Sequence, residues 1–201
     1  LEADPGTFES LEDYKRAGVT RVSLGAQSFN DDELKAAGRA HTAADVRRAI
    51  DVVRTADLEH GWSLDLMSGL PCQTMQSWRH TLEEAVGCEP DHISSYDLQI
   101  QAGTAFARWY GDDRDVLFAD DKPVVSNNGR PSLPSEETAA LMYEEASLFL
   151  RDSGFDHYEI SSYARTRRSV HYALYWEPGG SWYALGLGAT RARAVRGARS
   201  P

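Results

Sequence analysis

Cysteine is scarce: Cys72 and Cys88 are the only two in 201 residues. Two cysteines make no disulfide framework, and a reducing compartment is the default. They stand too far apart for a paired metal-ligand motif and read as isolated small core residues. Long apolar runs are also lacking, so no segment can cross a bilayer as a helix, and an integral membrane protein is not expected. Positive charge is in deficit, with 21 Lys and Arg against 31 Asp and Glu, a net charge of -10. That balance argues against a general nucleic-acid or anionic-membrane surface, although local basic clusters are compatible with it. No initiator Met, targeting peptide or internal repeat is visible. The chain opens at Leu1 in what reads as the tail of a strand and closes in an arginine-rich tail, which is expected of a fragment.

What is present is a strand–helix alternation. Residues 1–6 read as strand end and turn. Thr7 can cap a helix with Phe8, Leu11 and Tyr14 on its apolar stripe, stopped by Gly18. Val19 to Leu24 reads as a strand closed by Gly25. Asp31 opens a short helix that ends near Gly38, and Thr42 with Asp45 resembles a capping box for a longer one carrying Val46, Ile50 and Val53. Ser63 to Met67 is an apolar run around one carboxylate, broken by Gly69 and Pro71. It reads as a buried parallel-type strand with Ser63, Asp65 and Met67 on one face and Leu64 and Leu66 on the other. A helix with Met75, Trp78, Leu82 and Val86 follows, then a strand from His92 to Leu98. This spacing predicts parallel βα units with right-handed crossovers. Three whole strands cannot close a barrel, so the partners are expected before Leu1.

Beyond residue 105 the pattern changes. Residues 111–134 are rich in Asp, Asn, Gly and Pro and read as an exposed insertion. Ser135 caps a helix bearing Leu141, Met142, Phe149 and Leu150, and Phe155 to Ser161 reads as one strand. The expected division is 1–105 for the later part of the barrel and 106–201 for an α+β extension.

Four polar residues, Glu2, Gln27, Arg39 and Asp65, fall within or just after expected strands. On parallel strands they converge on one rim, where acids suit an ammonium or ribose hydroxyls and a guanidinium suits a carboxylate. Scattered surface residues, with Asp65 capping a neighbouring loop, are the plainer reading. Gly69-Leu70-Pro71 and Gly186-Leu187-Gly188 match neither a phosphate loop nor a dinucleotide fingerprint. His41 reads as helping to cap a helix, and His92 as hydrogen-bonded core. His171 lies among Tyr172, Tyr175 and Trp176, a setting that fits either a haem iron ligand or an aromatic patch on a sheet edge.

Several of these stretches occur in the order of a known family. Glu2 to Pro5, Arg21 to Phe29, Gly38 to His41, Asp65 to Pro71 and His92 to Tyr96 resemble the HemW-type and HemN-type radical S-adenosylmethionine (SAM) proteins. Leu133 to Glu136, Met142-Tyr143, Gly154-Phe155, Tyr158 to Ser161 and His171 to Trp176 look closer to the HemW branch. The likeness covers most of the chain, sparing residues 111–132 and the final tail. It implies part of a six-unit TIM-like barrel, bound SAM and a 4Fe–4S cluster. By the resemblance, Glu2 meets the methionine amino group, Gln27 and Asp65 the ribose, and Arg39 the methionine carboxylate. His171, Tyr175 and Trp176 match the haem-associated motif, with Tyr172 where the branch carries Asn. The family's three cluster cysteines, spaced CxxxCxxC, would lie upstream of Leu1.

Three functions follow. The first is a haem chaperone that binds haem or porphyrin and passes haem to an acceptor protein. The second is an oxygen-independent coproporphyrinogen III oxidase, and the third a remnant that does neither. Relatives of this type occur in cytoplasm, mitochondria and plastids.

Overall fold

The computed structural model describes residues 1–7, 10–111, 122–166, 168–170 and 181–185. Six strands form one mixed sheet in the order β1-β2-β3-β4-β6-β5. The strands are β1 Glu2–Ala3, β2 Val22–Gln27, β3 Trp62–Ser68, β4 His92–Asp97, β5 Asp156–Glu159 and β6 Ser162–Ala164. The helices are α1 Glu12–Arg16, α2 Asp31–Ala36, α3 Ala43–Thr55, α4 Met75–Gly87, α5 Ala105–Tyr110 and α6 Glu136–Asp152. β1 to β4 pair in parallel, as the βα alternation predicts, while β6 runs antiparallel to both β4 and β5.

Period-two alternation decides which face packs. Val22, Leu24, Ala26, Leu64, Leu66 and Ile93 are fully buried. They form one core with Val46, Ala49, Ile50 and Val53 of α3, Trp78, Leu82 and Ala85 of α4, and Met142, Ala146 and Leu150 of α6. Trp78 donates its indole N–H to the Met142 carbonyl at 2.8 Å, which fixes α4 against α6. Capping boxes at Thr42/Asp45 and Thr74/Ser77 set the starts of α3 and α4, and Ser135 caps α6.

Four expectations need correction. Gly25 does not close its strand: β2 runs on to Gln27, and a register shift between Leu24 and Gln27 sets Gly25 and Ala26 opposite Asp65 alone. A glycine inside a strand marks such a bulge. Thr7 caps no α-helix; Pro5–Thr7 form a 3-10 turn, and α1 starts at Glu12 with Leu11 in the cap position. Phe155 to Ser161 is not one strand, because the chain reverses at Ile160-Ser161 into a hairpin. Glu159 Oε2 accepts from Ser161 N and Ser162 Oγ at 3.1 Å each and pins that reversal. Cys72 is not a core residue; it is exposed on the turn after β3 at φ 60°.

At the amino ends of the strands Asp91 acts as a clamp. Its Oδ2 accepts from Trp62 N at 3.1 Å, its Oδ1 from Thr166 Oγ1 at 2.6 Å, and its carbonyl from Arg165 N at 2.9 Å. Gly61, at φ +69°, admits this carboxylate: a Cβ there would lie 2.1 Å from Asp91 Oδ2. A smaller cluster of Ile100, Tyr110 and Leu133 holds residues 122–133 against α5. Tyr110 Oη donates to the Pro131 carbonyl at 2.7 Å.

Candidate functional site

The face opposite the helices carries the polar half of each strand. In the parallel register Glu2 stands beside Ser23, Ser23 beside Ser63, Ser63 beside His92, and Asp65 beside Ser94. The sequence-expected residues gather there as two pairs.

Gln27 and Arg39 form the first pair. Gln27 ends β2 at φ 65°, a left-handed conformation unusual for a residue with a side chain. Both side chains lie over Gly25, so a Cβ on that residue would meet Gln27 Nε2 at 3.0 Å and Arg39 Nη2 at 3.4 Å. Gln27 Oε1 and Arg39 Nε are buried without a partner in this structure. Such atoms cost about 1–3 kcal/mol each when left unpaired, so the pair is open to a ligand or to water. One with an acceptor for the guanidinium and a donor for the amide oxygen, such as a carboxylate beside a hydroxyl, supplies both.

Glu2 and Asp65 flank Ser23 as the second pair. Ser23 Oγ lies 3.0 and 2.9 Å from the two Asp65 carboxylate oxygens and 2.7 Å from Ser63 Oγ. A hydroxyl has one proton. If Ser23 donates to Asp65, Ser63 donates to Ser23, giving a directed chain into the carboxylate. Asp65 therefore caps no loop. Burial raises its pKa, the Ser94 and Ser23 hydroxyls and the Arg21 charge oppose the rise, and the Glu2 charge adds to it.

Arg21 and His92 border this pair. Burial lowers the Arg21 pKa, against the pull of Asp65. His92, 2% exposed, pairs through Nε2 with Tyr158 Oη at 2.8 Å, which agrees with its reading as hydrogen-bonded core. Burial, then the Arg21 charge, lower its pKa to about 4.

His41 differs from expectation. Thr42 and Asp45 cap α3, and the His41 ring is buried between Ala26 and Asp4 instead. Ser23, Ser63 and Ser94 were legible only as the alternation that also marks Asp65. Asp4 was marked only by its turn and by lying in the Glu2 to Pro5 stretch of the resemblance. His171, Tyr175 and Trp176 lie outside the described residues. Among the described residues no three His, Cys, Asp or Glu side chains cluster as metal ligands, and no helix is long and apolar enough to cross a membrane.

The four parallel strands β1–β4 thus carry their polar groups on the face away from the helices. Residues 1–85 match the radical SAM superfamily model. Nearly the whole sequence is similar to the haem chaperone HemW of Synechocystis sp., 37% identical over 94% of this chain and 42% of that protein. HemW of Escherichia coli is 32% identical over 94% of this chain and 45% of that protein. A mouse protein, radical S-adenosyl methionine domain-containing protein 1, mitochondrial, is 36% identical over 94% and 39%. The chain thus spans less than half the length of these relatives. The solved coproporphyrinogen III oxidase HemN of Escherichia coli superposes with a TM-score of 0.65 at 24% identity, over 87% of this chain and 36% of that one, and shares the fold.

Proposed function

We propose that this chain is the SAM-holding and haem-handling part of a haem chaperone of the HemW type. The observation that carries the reading is the Gln27–Arg39 pair above Gly25, with one orphaned buried atom on each side chain.

The residues present fit SAM. Arg39 would take its carboxylate, Glu2 its ammonium, and Gln27 and Asp65 its ribose hydroxyls. Bound beside a cluster, SAM is a source of a radical or, in a chaperone, a structural cofactor. This chain's own part is to orient the aminocarboxylate at the carboxyl end of β2 and to accept hydroxyl protons at Asp65. The residues present do not fit a 4Fe–4S cluster. The sequence holds two cysteines, and no ligand trio occurs among the described residues.

Haem is assigned to the stretch from His171 to Trp176. His171 would ligate iron through a ring nitrogen while Tyr175 and Trp176 stack on the porphyrin, for later delivery to an acceptor protein. The barrel-derived part ends near residue 105, and the remainder carries the haem stretch.

The test is a pair of titrations on the purified 201-residue chain. Haemin should give a saturable Soret shift that His171→Ala weakens at least tenfold. S-adenosylhomocysteine should bind wild type and lose about 1.5–3 kcal/mol of affinity in Arg39→Gln, the worth of a charged hydrogen bond. Unchanged haem affinity in His171→Ala removes that residue from the site. SAM-dependent release of carbon dioxide from coproporphyrinogen III by anaerobic, cluster-loaded full-length protein would favour an oxidase instead.

A further inference from the structure

His41 lies two residues after Arg39, and its side chain has no solvent exposure. Its Nε2 stands 3.2 Å from the carbonyl oxygen of Ala26, the bulge residue that precedes Gln27. A carbonyl only accepts, so this nitrogen carries a proton. Its Nδ1 faces Asp4 Oδ1 at 3.3 Å. The same Asp4 oxygen accepts from Gly6 N at 2.9 Å, and Asp4 Oδ2 lies 3.6 Å from Arg39 Nη2. Arg39 Nη2 also faces the Gly25 carbonyl at 3.5 Å. Little room is left for another arrangement, since a Cβ on Gly6 would sit 3.2 Å from His41 Cβ.

One imidazole therefore joins the two halves of the first pair. On one side it holds the bulge that aims Gln27. On the other its Nδ1, which has no hydrogen-bond partner in this geometry, lies in ion-pair reach of the carboxylate beside Arg39 and engages it when that nitrogen is also protonated. We propose that His41 is a positioning residue of the candidate site, setting the Arg39 guanidinium through Asp4 and so fixing the preference for ligands that carry a carboxylate. The inference rests on the SAM reading and adds the residue that tunes its carboxylate end.

The Arg39 contact predicts discrimination between S-adenosylhomocysteine and 5′-methylthioadenosine, which share the adenosine and thioether but differ in the aminocarboxylate. Both are titrated against the full chain by calorimetry. Wild type prefers S-adenosylhomocysteine, and Arg39→Gln abolishes the preference. His41→Phe, which removes both ring nitrogens, lowers the preference about tenfold, or 1.4 kcal/mol, because S-adenosylhomocysteine loses that much more affinity than methylthioadenosine does. His41→Asn keeps a donor near Asp4 and restores the preference, whereas His41→Gln keeps only the Ala26 side and does not. Should His41→Phe fold poorly, Asp4→Asn breaks the same link from its other end and gives the same loss. A wild-type preference ratio in His41→Phe and Asp4→Asn overturns the role, as does an equal loss of both ligands, which would mark a merely structural residue. A wild-type chain that binds neither ligand overturns the SAM reading itself, and this inference with it.

Discussion

Ser23 Oγ stands within 3.0 Å of both carboxylate oxygens of Asp65, so one hydroxyl on β2 shares its proton between the two oxygens of an acid on β3. The neighbouring strands are thereby joined on the side chain as well as the backbone. Their carboxylate is also held ready for a second donor.

Removing that hydroxyl should move Asp65. Burial already raises its pKa, and the Ser23 bond is one of the contacts that opposes the rise. Ser23→Ala is expected to push it further up, and Glu2→Gln to bring it down by removing a like charge. Carboxyl-carbon NMR titration reads both directions, and an unmoved Asp65 in Ser23→Ala would show that the hydroxyl does not donate.

Gly25 separates stability from binding. Its φ is not left-handed, so Ala is allowed on the backbone, but the new methyl meets Gln27 Nε2 and Arg39 Nη2. Both are ends of flexible side chains that can swing aside. Gly25→Ala is therefore expected to change unfolding free energy by less than about 1 kcal/mol, while S-adenosylhomocysteine affinity falls at least tenfold. Urea denaturation and calorimetry on the same sample check the two halves.

His92 predicts an acid-side loss of stability. Its folded pKa of about 4 lies below the 6.5 of the free side chain. Between those values the unfolded chain holds the extra proton, so stability falls as pH drops from 6.5 and levels off near 4. The full loss is about 3 kcal/mol at 1.36 kcal/mol per unit. Urea midpoints across that window should show the slope, and His92→Gln should flatten it. A slope of the same size in that variant would assign it to another group.

Trp78 carries the α4–α6 joint. It is fully buried and donates to the Met142 carbonyl. Trp78→Ala should cost about 3–5 kcal/mol, a large share of the 5–15 typical of a domain. Trp78→Phe should cost less and leave the carbonyl without its donor. Guanidinium unfolding curves distinguish the two.

The parallel strands were readable because Leu64 and Leu66, or Val22 and Leu24, alternate with small or polar residues at the strand period. Thr42/Asp45 and Ser135 gave helix starts for the same reason, a local chemistry with one use. The β2 bulge was not readable. A glycine ends a strand or bulges it with equal local cost, and only the pairing with β3 chooses. The hairpin after Phe155 was hidden likewise, because Ile160 looks apolar yet is 70% exposed at the reversal. For the site, Asp65, Gln27 and Arg39 could be named from spacing and resemblance. Asp4 and His41 act across loops, and no period in the sequence marks a contact of that kind.

The Asp91 clamp divides the molecule into parts with different freedom to change. It fastens β3, β4 and the segment after β6 at the end of the sheet away from Gln27 and Arg39. Segments at the opposite end, such as residues 28–42 and 69–74, can then be exchanged for those of a relative without resetting strand register. Ligand preference should travel with those transplanted segments, while Gly61 and Asp91 admit no such exchange singly. A lineage can rewrite what this sheet holds by editing one end and leaving the other untouched.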